Sequence, residues 1–451
     1  MERSSPERTS WHSEIEECEE ESFTIFKVPH QLREVNEKAY EPNVISIGPY
    51  HYCKPHLVRM EDIKKRCFEN ITKTTNLGLN KFREEMRLLE GKTRKCYEQP
   101  LPPCLEAKAN FVDMMVYDGC FVVQQLQNGH LDEFSKHGPH VSNEMQYDLL
   151  LLENQLPFFV LLKLYSMITS NPEPRGDLVQ SAINLFVGPQ CNLPGDTHIR
   201  HLLNLVHATF HPSPRGTQAE VEEEVACCFP KNTIVGNLLQ LVHTTFHLSP
   251  KKEENSQHLW NWIPSATELK DAGIHFSGEQ EKKNKFEFDI TFDNNTKELK
   301  IPTLQVDDST EREFRNYMVY EQFYFFPSGK PTYFVDYVLF MDDLINTSKD
   351  VELLRRRKII NNSLGNDEAV TEMFNKLGHS IYYREENFHY KNIVTQVNKH
   401  FKIKCNIWKW KANLKKDYFN TPWSVISFLA AFVLLVLTIL QTIFSLLSYY
   451  H

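Results

Sequence analysis

The most constraining feature of this sequence is an uncharged apolar run near its C-terminus. Residues 425–447 read VISFLAAFVLLVLTILQTIFSLL, 23 residues without a charged side chain. At about 1.5 Å of rise per residue, a helix of this length covers roughly 35 Å, and the hydrocarbon core of a bilayer is about 30 Å thick. The run therefore predicts a single C-terminal transmembrane helix, with the preceding residues folded on one side of the membrane.

Basic and aromatic residues precede the run and favour the same interpretation. Lysines next to a span favour the cytosolic side of the membrane and attract anionic headgroups by about 1 kcal/mol each. We predict a basic, aromatic, lipid-facing juxtamembrane segment over residues 401–423 and a transmembrane helix over 424–450. The lysines are Lys402, Lys404, Lys409, Lys411, Lys415 and Lys416. The predicted anchor residues are Trp423, Val425, Phe428, Leu434, Leu437, Leu440, Phe444 and Leu447.

The N-terminal residues do not resemble an export signal. Residues 1–22 are acidic and contain neither an apolar run nor a small-residue cleavage signal. We expect a disordered acidic tail here and a cytosolic body, with the anchor in the plasma membrane or the endoplasmic reticulum. None of the ten cysteines forms a C-x-x-C motif, so reduced structural thiols are expected in that compartment.

Composition and apolar spacing predict a globular, mainly α body with a small β-hairpin. The chain has 451 residues, of which 41% are hydrophobic and 12% aromatic, and its net charge of −9 gives no support to nucleic-acid binding. We expect one mainly helical domain over 23–400, with a mobile insertion at about 212–232 and the hairpin at about 286–306. Spacings of three and four predict helices over 60–75, 79–98, 105–127, 144–168, 311–326, 337–357 and 368–377.

A local repeat places histidines at helical spacing. Residues 201–214 resemble residues 237–250, and each copy carries an H-x-x-x-H pair, His207 with His211 and His243 with His247. Two imidazoles at this spacing can bind one metal ion, but the pairs lack the Glu of H-E-x-x-H and no third ligand can be named. We therefore predict no metal and no cofactor, and a solvated or helix-capping role for these histidines.

Polar side chains interrupt two of the most apolar stretches. Asp118 lies close to Cys120, and an acidic neighbour raises a thiol pKa, so Cys120 is predicted to be a packed core residue rather than a nucleophile. Asp148, Glu153 and Asn154 flank and follow a run of four leucines. Because buried polar groups need partners, we predict that these four Asp, Glu and Asn residues form a structural polar core braced by Arg or Lys. A catalytic carboxylate at Glu153 is the alternative interpretation.

Seven segments carry a resemblance to a known family, and they are residues 25–29, 40–42, 46–51, 117–121, 148–159, 266–270 and 341–347. Together these segments resemble the plant domain of unknown function 247 family, also called uncharacterised protein family 0481. The resemblance implies a plant origin, a mostly helical body and a C-terminal transmembrane helix. Some members of that family are implicated as male determinants of self-incompatibility in grasses, which implies a recognition role in pollen. The family has no established catalytic residues.

The sequence carries no familiar catalytic signature, because G-x-S-x-G, Walker A, G-x-G-x-x-G and kinase motifs are absent. We predict a single-pass, tail-anchored, non-enzymatic protein-interaction or recognition component of self-incompatibility or cell signalling, with an unknown protein partner and with lipid around the terminal helix. No catalytic or cofactor-binding residue is predicted. The alternative is a membrane-attached hydrolase or transferase whose site would bring Glu153, Asp148 and one of the repeat histidines into one pocket.

Overall fold

A computed structural model describes residues 24–128, 139–188, 191, 193, 197–210, 262–279, 288–327, 329–418 and 422–449 of the chain. Within the last two helices it describes side chains up to residue 404 and at 426, 427, 429–443 and 445. The predicted acidic tail, the predicted mobile insertion and the second copy of the repeat lie outside these residues.

The described part of the chain is mainly helical. The helices of its first half are α1 His30–Val35, α2 Val58–Thr75, α3 Leu79–Lys95, α4 Lys108–Asn128, α5 Pro139–Asp148, α6 Phe158–Thr169, α7 Arg175–Phe186 and α8 Leu202–Ala208. The second half contains α9 Ala266–Asp271, α10 Thr310–Tyr324, α11 Tyr333–Leu344, α12 Ser348–Arg356, α13 Asp367–Leu377, α14 Lys391–Tyr418 and α15 Pro422–Tyr449.

Short strands form two small sheets in the second half. They are β1 His275–Glu279, β2 Thr291–Asp293, β3 Glu298–Pro302, β4 Leu304–Val306 and β5 Ile360–Asn362. Strands β2 and β3 pair antiparallel, which confirms the predicted hairpin, and β1 adds to β3 in parallel, with His275 opposite Glu298. Strand β5 pairs with β4 in parallel. The parallel pairings join segments that are distant in sequence, so local alternation does not indicate them.

The described apolar side chains form two hydrophobic cores. The N-terminal core lies mainly among α2, α3, α4, α6 and α7 and includes Phe82 and Phe121. The C-terminal core packs the sheets against α10, α11, α12 and α13 and includes Phe314 and Phe334. Both cores take side chains from one stretch of chain between α5 and α6, which therefore lies at their junction.

That junction is the central segment, residues 148–157, and it interrupts the predicted helix over 144–168. The chain leaves the helix after Asp148 and re-enters one only at Phe158. Pro157 precedes the new helix, and a residue that is followed by proline is disfavoured in the helical conformation. Between the helices the Gln155 amide donates to the carbonyls of Leu149 and Leu151, each at 2.8 Å. Side-chain hydrogen bonds thus replace helical ones in this buried stretch.

A second predicted helix, over 337–357, is also divided. Its two halves are α11 and α12, and a capping box separates them. The Asp350 carboxylate accepts from the Thr347 backbone amide at 2.9 Å, while the Thr347 side chain caps the start of α12. This reciprocal cap satisfies amides at a helix start, so the interruption costs little.

The C-terminal prediction is contradicted. Residues Pro422–Tyr449 form helix α15. Within the described ranges, no helix is both long enough and apolar enough to cross a membrane. The predicted fold class was therefore wrong in its transmembrane helix, whereas the mainly helical body with small β elements is confirmed.

One cysteine pair also differs from the prediction of reduced thiols. Cys53, which is exposed, and Cys104, which is half-buried, are joined by a disulfide bond. The two residues are 51 positions apart and lie on loops that the fold brings together, so sequence spacing gave no sign of the pairing. The described free cysteines are buried, as predicted for structural thiols, and they are Cys67, Cys96, Cys120 and Cys191.

Gly48 provides a direct test of how the N-terminal loop, residues 41–54, packs against the central segment. Its φ is +74°, and a Cβ there would lie 2.5 Å from the backbone oxygen of Gln155. We expect Gly48→Ala to lower the free energy of unfolding by more than about 2 kcal/mol, because it adds left-handed strain and a backbone clash.

Gly91 is the matched control for this substitution. It lies in helix α3, and a Cβ added there would have no neighbouring heavy atom of the described residues within 4 Å. Gly91→Ala should raise the free energy of unfolding by about 0.5–1 kcal/mol, because alanine loses less conformational entropy in a helix. Denaturant titrations would measure both changes. Equal, small effects of the two variants would contradict the packing described for Gly48.

Candidate functional site: a charged cleft beside the central segment

Asp148 anchors the first part of the central segment. Its fully buried carboxylate accepts the backbone amides of Asn43, Val44 and Ile45 at 3.0, 2.7 and 2.9 Å. Arg312 of helix α10 donates to the same carboxylate. Burial raises the pKa of Asp148, while Arg312 and the amides act in the opposite direction. One side chain thus joins the N-terminal loop to a helix of the C-terminal core. The hydrogen bonds from backbone amides of the N-terminal residues to side chains of the central segment are together called the brace.

Asn154 continues this brace two residues further along the N-terminal loop. Its side-chain oxygen accepts the Ile47 amide at 2.6 Å, and its side-chain nitrogen donates to the Ile45 carbonyl at 3.0 Å and the Asp148 carbonyl at 2.9 Å. The donor and the acceptor of this buried amide are therefore both in use. The backbone amides of the loop therefore need no β-strand partner, because side chains of the central segment accept their hydrogen bonds.

Asp118 forms a separate buried cluster on helix α4. Its carboxylate accepts from the Lys64 ammonium at 2.6 Å and from the Gly48 amide at 2.9 Å. Burial raises the pKa of Asp118 to about 7, although the attraction of Lys64 opposes this shift. Lys64 also donates to Glu61 at 2.6 Å, so the buried ammonium is shared between two carboxylates. The cluster fixes the N-terminal loop from its second side.

Glu153, unlike the other three polar residues, reaches a cleft. Its carboxylate accepts the Val28 amide at 2.6 Å and the Arg33 guanidinium at 2.5 Å. Burial alone would raise the pKa of Glu153, but the contacts with His51 and Arg33 outweigh it and hold the pKa below its usual value. Glu153 is therefore a carboxylate at neutral pH, held at the floor of the cleft.

The cleft has a volume of about 440 Å³, within the range of ligand-binding sites. A chain of ion pairs crosses it, because Arg33 also binds Glu41 at 2.7 Å and Lys54 donates to the other oxygen of Glu41. Burial lowers the pKa of Lys54. The residues that line the cleft are Lys27, Val28, Arg33, Glu41, Tyr50, His51, Lys54, Pro100, Leu101, Pro102 and Glu153.

His51 lies between the two carboxylates of the cleft and is only 2% exposed. Its Nε2 is 3.4 Å from Glu153 and its Nδ1 is 3.6 Å from Glu41. Neither ring nitrogen reaches hydrogen-bond geometry with a partner among the described residues. A buried imidazole between two carboxylates, at the bottom of an open cleft, is a polar group with capacity left for a ligand.

The opposite wall of the cleft is mostly apolar. It combines the Tyr50 ring with residues 100–102, and Tyr50 itself is fixed by donation from its hydroxyl to the Ile25 carbonyl at 2.8 Å. The disulfide between Cys53 and Cys104 ties the loop that carries Lys54 to the loop that follows Pro102. Covalent and polar contacts therefore hold both sides of the cleft in place.

The repeat histidines do not join this site. His207 is buried, not solvated as one of the two predicted roles required, and its Nε2 lies 2.8 Å from Glu321 of α10. Burial lowers the pKa of His207 to about 3 and raises that of Glu321 to about 8. His211, His243 and His247 lie outside the described residues. Across the described ranges, no group of three or more His, Cys, Asp or Glu is placed to hold a metal ion.

The predicted anchor and lipid-facing residues lie far along the chain from the cleft, on α14 and α15. Leu434, Leu437 and Leu440 are 64%, 55% and 45% exposed, and Lys402 is exposed while Lys404 is half-buried. The side chains of the other predicted residues fall outside the described set: Lys409, Lys411, Lys415, Lys416, Trp423, Val425, Phe428, Phe444 and Leu447.

Sequence reasoning named Glu153 but missed the residues around it. Arg33 and Val28 are 120 and 125 positions away from it, so no spacing rule connects them. One signal was present, since Glu41, His51 and Glu153 all lie in segments that carry the family resemblance. Those segments, separated in the sequence, meet at the cleft.

Comparisons with known proteins agree on one family. A family model described as plant protein of unknown function, DUF247, matches residues 25–437. The UPF0481 protein At3g47200 of Arabidopsis thaliana is 30% identical over 456 residues, which cover 96% of this chain and 88% of that protein. The putative UPF0481 protein At3g02645 of the same plant is 25% identical over 510 residues, with coverages of 97% and 93%. No solved structure matches the chain.

Replacing Asp148 tests the brace at the central segment. We expect Asp148→Asn to lower the free energy of unfolding by about 2–4 kcal/mol, because it removes the buried carboxylate that accepts from Arg312 and from three loop amides, although Arg312 keeps its ion pair with Glu144 at 3.1 Å. The control is Asp62→Asn, which changes a side chain that is 80% exposed and should alter stability by no more than about 0.5 kcal/mol. Urea titrations measure both, and a similar small loss in the two variants would contradict the proposed brace.

His201, the N-cap of helix α8, should make stability depend on pH. Burial, with Arg200 beside it, lowers the pKa of His201 to about 3, while its Nδ1 accepts the Asn204 amide. Because the unfolded chain binds a proton near pH 6.5 and the folded chain does not, the folded state loses stability as the pH falls below about 6.5. The repeat suggests a substitute, since Asn237 occupies the equivalent position.

We therefore expect His201→Asn to keep the cap and to remove this pH dependence. Relative to the unchanged protein, the variant should gain about 2 kcal/mol between pH 7.5 and about pH 5. Unfolding free energies at the two pH values provide the measurement, with His140→Asn, at an exposed histidine, as the control. A difference between variant and unchanged protein that is constant across this range would refute the buried neutral ring.

Proposed function

The chain belongs to the DUF247 family of plant proteins, and we propose that it acts by binding a partner rather than by catalysis. The cleft at His51 is the proposed binding site. It is polar at its floor, apolar on its opposite wall and held by ion pairs on both sides, which are properties of a preformed recognition surface.

The proposal rests mainly on one observation, which is that the carboxylates of the cleft are held in ion pairs. Both carboxylates are held in ion pairs, Glu41 with Arg33 and Lys54, and Glu153 with Arg33. A general base or acid needs a pKa close to the working pH, whereas Glu153 has its pKa held below the usual value. None of the residues that line the cleft is Ser, Thr or Cys, the usual nucleophiles.

The catalytic alternative requires a convergence that the described contacts do not supply. Glu153 contacts Arg33 and the Val28 amide. Asp148 has a different set of partners, the amides of residues 43–45 and an arginine of α10. His207, the described histidine of the repeat pairs, contacts Glu321. Each of the three groups has its own partners, so we do not favour a hydrolase or transferase built on them.

Cell recognition is the process in which we place this binding activity. This part of the proposal rests on the family resemblance, which implies a recognition role and includes self-incompatibility. The partner is proposed to be a protein, because a rigid cleft with an adjoining proline-containing edge can accept an extended segment of another chain.

A capture experiment with the full chain tests the proposal. The immobilised protein should retain a specific plant protein in a saturable manner, and Leu101→Trp should reduce retention about tenfold or more, because the larger side chain fills the cleft from its apolar wall without adding a charge. Leu88→Trp is the control, since Leu88 is 80% exposed and does not line the cleft. Quantitative mass spectrometry of the retained proteins provides the measurement.

A parallel assay separates binding from catalysis. Ester, amide, glycoside and phosphate-ester test substrates should all remain unconsumed in the presence of the full chain. Turnover of one of them that His51→Gln abolishes, together with the absence of any retained partner, would refute the proposed function.

A further inference from the structure

The carboxylates of the cleft are occupied by groups of the protein itself. Each oxygen of Glu41 accepts one bond, from Arg33 and from Lys54 respectively. The two oxygens of Glu153 accept from the Val28 amide and from Arg33. Each carboxylate oxygen of Glu41 and Glu153 thus already accepts a hydrogen bond from a group of the protein.

The free hydrogen-bonding capacity of the cleft lies in its ammonium groups. An ammonium carries three N–H donors. Lys27 uses one of them on the Pro100 carbonyl at 2.7 Å, and Lys54 uses one on Glu41. Each lysine is only partly buried, so the remaining donors are available to a ligand. A ligand that completes them must present acceptor atoms, and an anion does so most strongly.

Among the cations that line the cleft, Lys27 has the fewest contacts with negatively charged groups of the described residues. The ion pairs among the described residues of the cleft join Arg33, Lys54 and His51 to Glu41 or Glu153, and none of them includes Lys27. Glu98 is the neighbouring acid, but it accepts from the backbone amide of Lys27, at 3.0 Å, and not from the side chain. The charge of Lys27 therefore faces the cleft without an ion-pair partner from the described residues.

His51 provides an independent observation at the floor. It is 98% buried, lines the cleft and has neither ring nitrogen in hydrogen-bond geometry with a described residue. The carboxylates of Glu153 and Glu41 lie 3.4 and 3.6 Å from these nitrogens and attract the ring, but a buried imidazole without a hydrogen bond is rare in folded proteins and needs an explanation. A polar ligand group seated on the floor supplies one.

The apolar wall of the cleft indicates what kind of chemical group the anionic group of the ligand is attached to. The Lys27 ammonium lies 5.4 Å from the centre of the Tyr50 ring, and Pro100, Leu101 and Pro102 continue the wall. A ligand that binds the ammonium groups therefore places its adjoining atoms against a ring and three apolar side chains. These surfaces favour a flat or apolar body over a strongly hydrated one.

From these contacts we infer that the cleft binds a carboxylate carried on an apolar or aromatic body, with Lys27 and Lys54 as the groups that hold it. The inference rests on the proposed binding function and narrows it to a ligand class. A free organic acid and an acidic side chain of a partner peptide offer the same chemistry, and the experiment separates these two sources.

Titration calorimetry with the full chain tests the ligand class. The probes are phenylacetate, its neutral isostere phenylacetamide, a blocked Gly-Gly-Phe-Glu-Gly-Gly peptide and the same peptide with Gln in place of Glu. At least one carboxylate probe should bind saturably at millimolar concentration or below, and its amide counterpart should bind at least about tenfold more weakly. Added salt should weaken the carboxylate binding, because the lysines are partly exposed.

Matched lysine variants identify the receptor groups. Lys27→Met and Lys54→Met should each weaken carboxylate binding about tenfold, because each removes charge-assisted hydrogen bonds and keeps the apolar stem. Lys27→Arg should restore binding to within about threefold, since charge and donors return. Lys65→Met, at a lysine that is 56% exposed and outside the cleft, should leave binding unchanged. Thermal unfolding of each variant shows that it is folded.

Each outcome decides the inference. Binding of phenylacetate alone indicates a free organic acid, binding of the peptide alone indicates a partner segment, and binding of both supports the shared chemistry. The inference is overturned if neither carboxylate binds at millimolar concentration, if the amides bind as tightly as the acids, or if Lys27→Met and Lys54→Met bind like the unchanged protein. Partner capture that Leu101→Trp abolishes would still stand in those cases, so the failure would concern the ligand class alone.

Discussion

The rest of the structure depends on buried hydrogen bonds between the central segment and the N-terminal loop. Leu149 and Leu156 enter the N-terminal core, while Leu150 and Leu152 enter the C-terminal core. A non-helical segment at such a junction exposes backbone groups to an apolar interior, and each unpaired one costs about 1–3 kcal/mol. The polar side chains at 148–155 satisfy their own segment and the loop at residues 43–47, which explains how four consecutive leucines and four polar residues occupy one buried stretch.

At the cleft, a residue of the central segment that belongs to this brace contacts the protein surface. Glu153 belongs to the central segment, and its carboxylate positions Arg33, which in turn positions Glu41 and, through it, Lys54. His51 is carried by the same loop that Asp148 and Asn154 hold. The geometry of the candidate site therefore follows from the packing of the two cores, and a ligand meets a surface that is already formed. Such preorganisation favours recognition, because little conformational entropy is lost on binding.

The spacing of apolar residues correctly predicted the helices and the hairpin whose contacts lie close together in the sequence. Helices α2, α3 and α13 and the hairpin of β2 and β3 have apolar faces of the expected period, and they appear where that period is clear. The break at 149–157 was missed because its leucines fit a helix, although Pro157 and three polar residues opposed one. The cleft could not be derived from spacing, since the contacts of Glu153 with Val28 and Arg33 join residues more than a hundred positions apart. At the C-terminus, apolar composition alone was not enough to establish a span in the described residues.

Hydrogen exchange of the backbone amides that donate to the central segment tests the central claim most directly. Val28, Ile45 and Ile47 lie outside helices and ladders, yet each donates its amide to a buried side chain of the central segment. If that brace holds the two cores together, these three amides should exchange only through global unfolding, as slowly as the core amides of α4. Exchange at the rate of exposed loop amides, while α4 stays protected, would contradict the account.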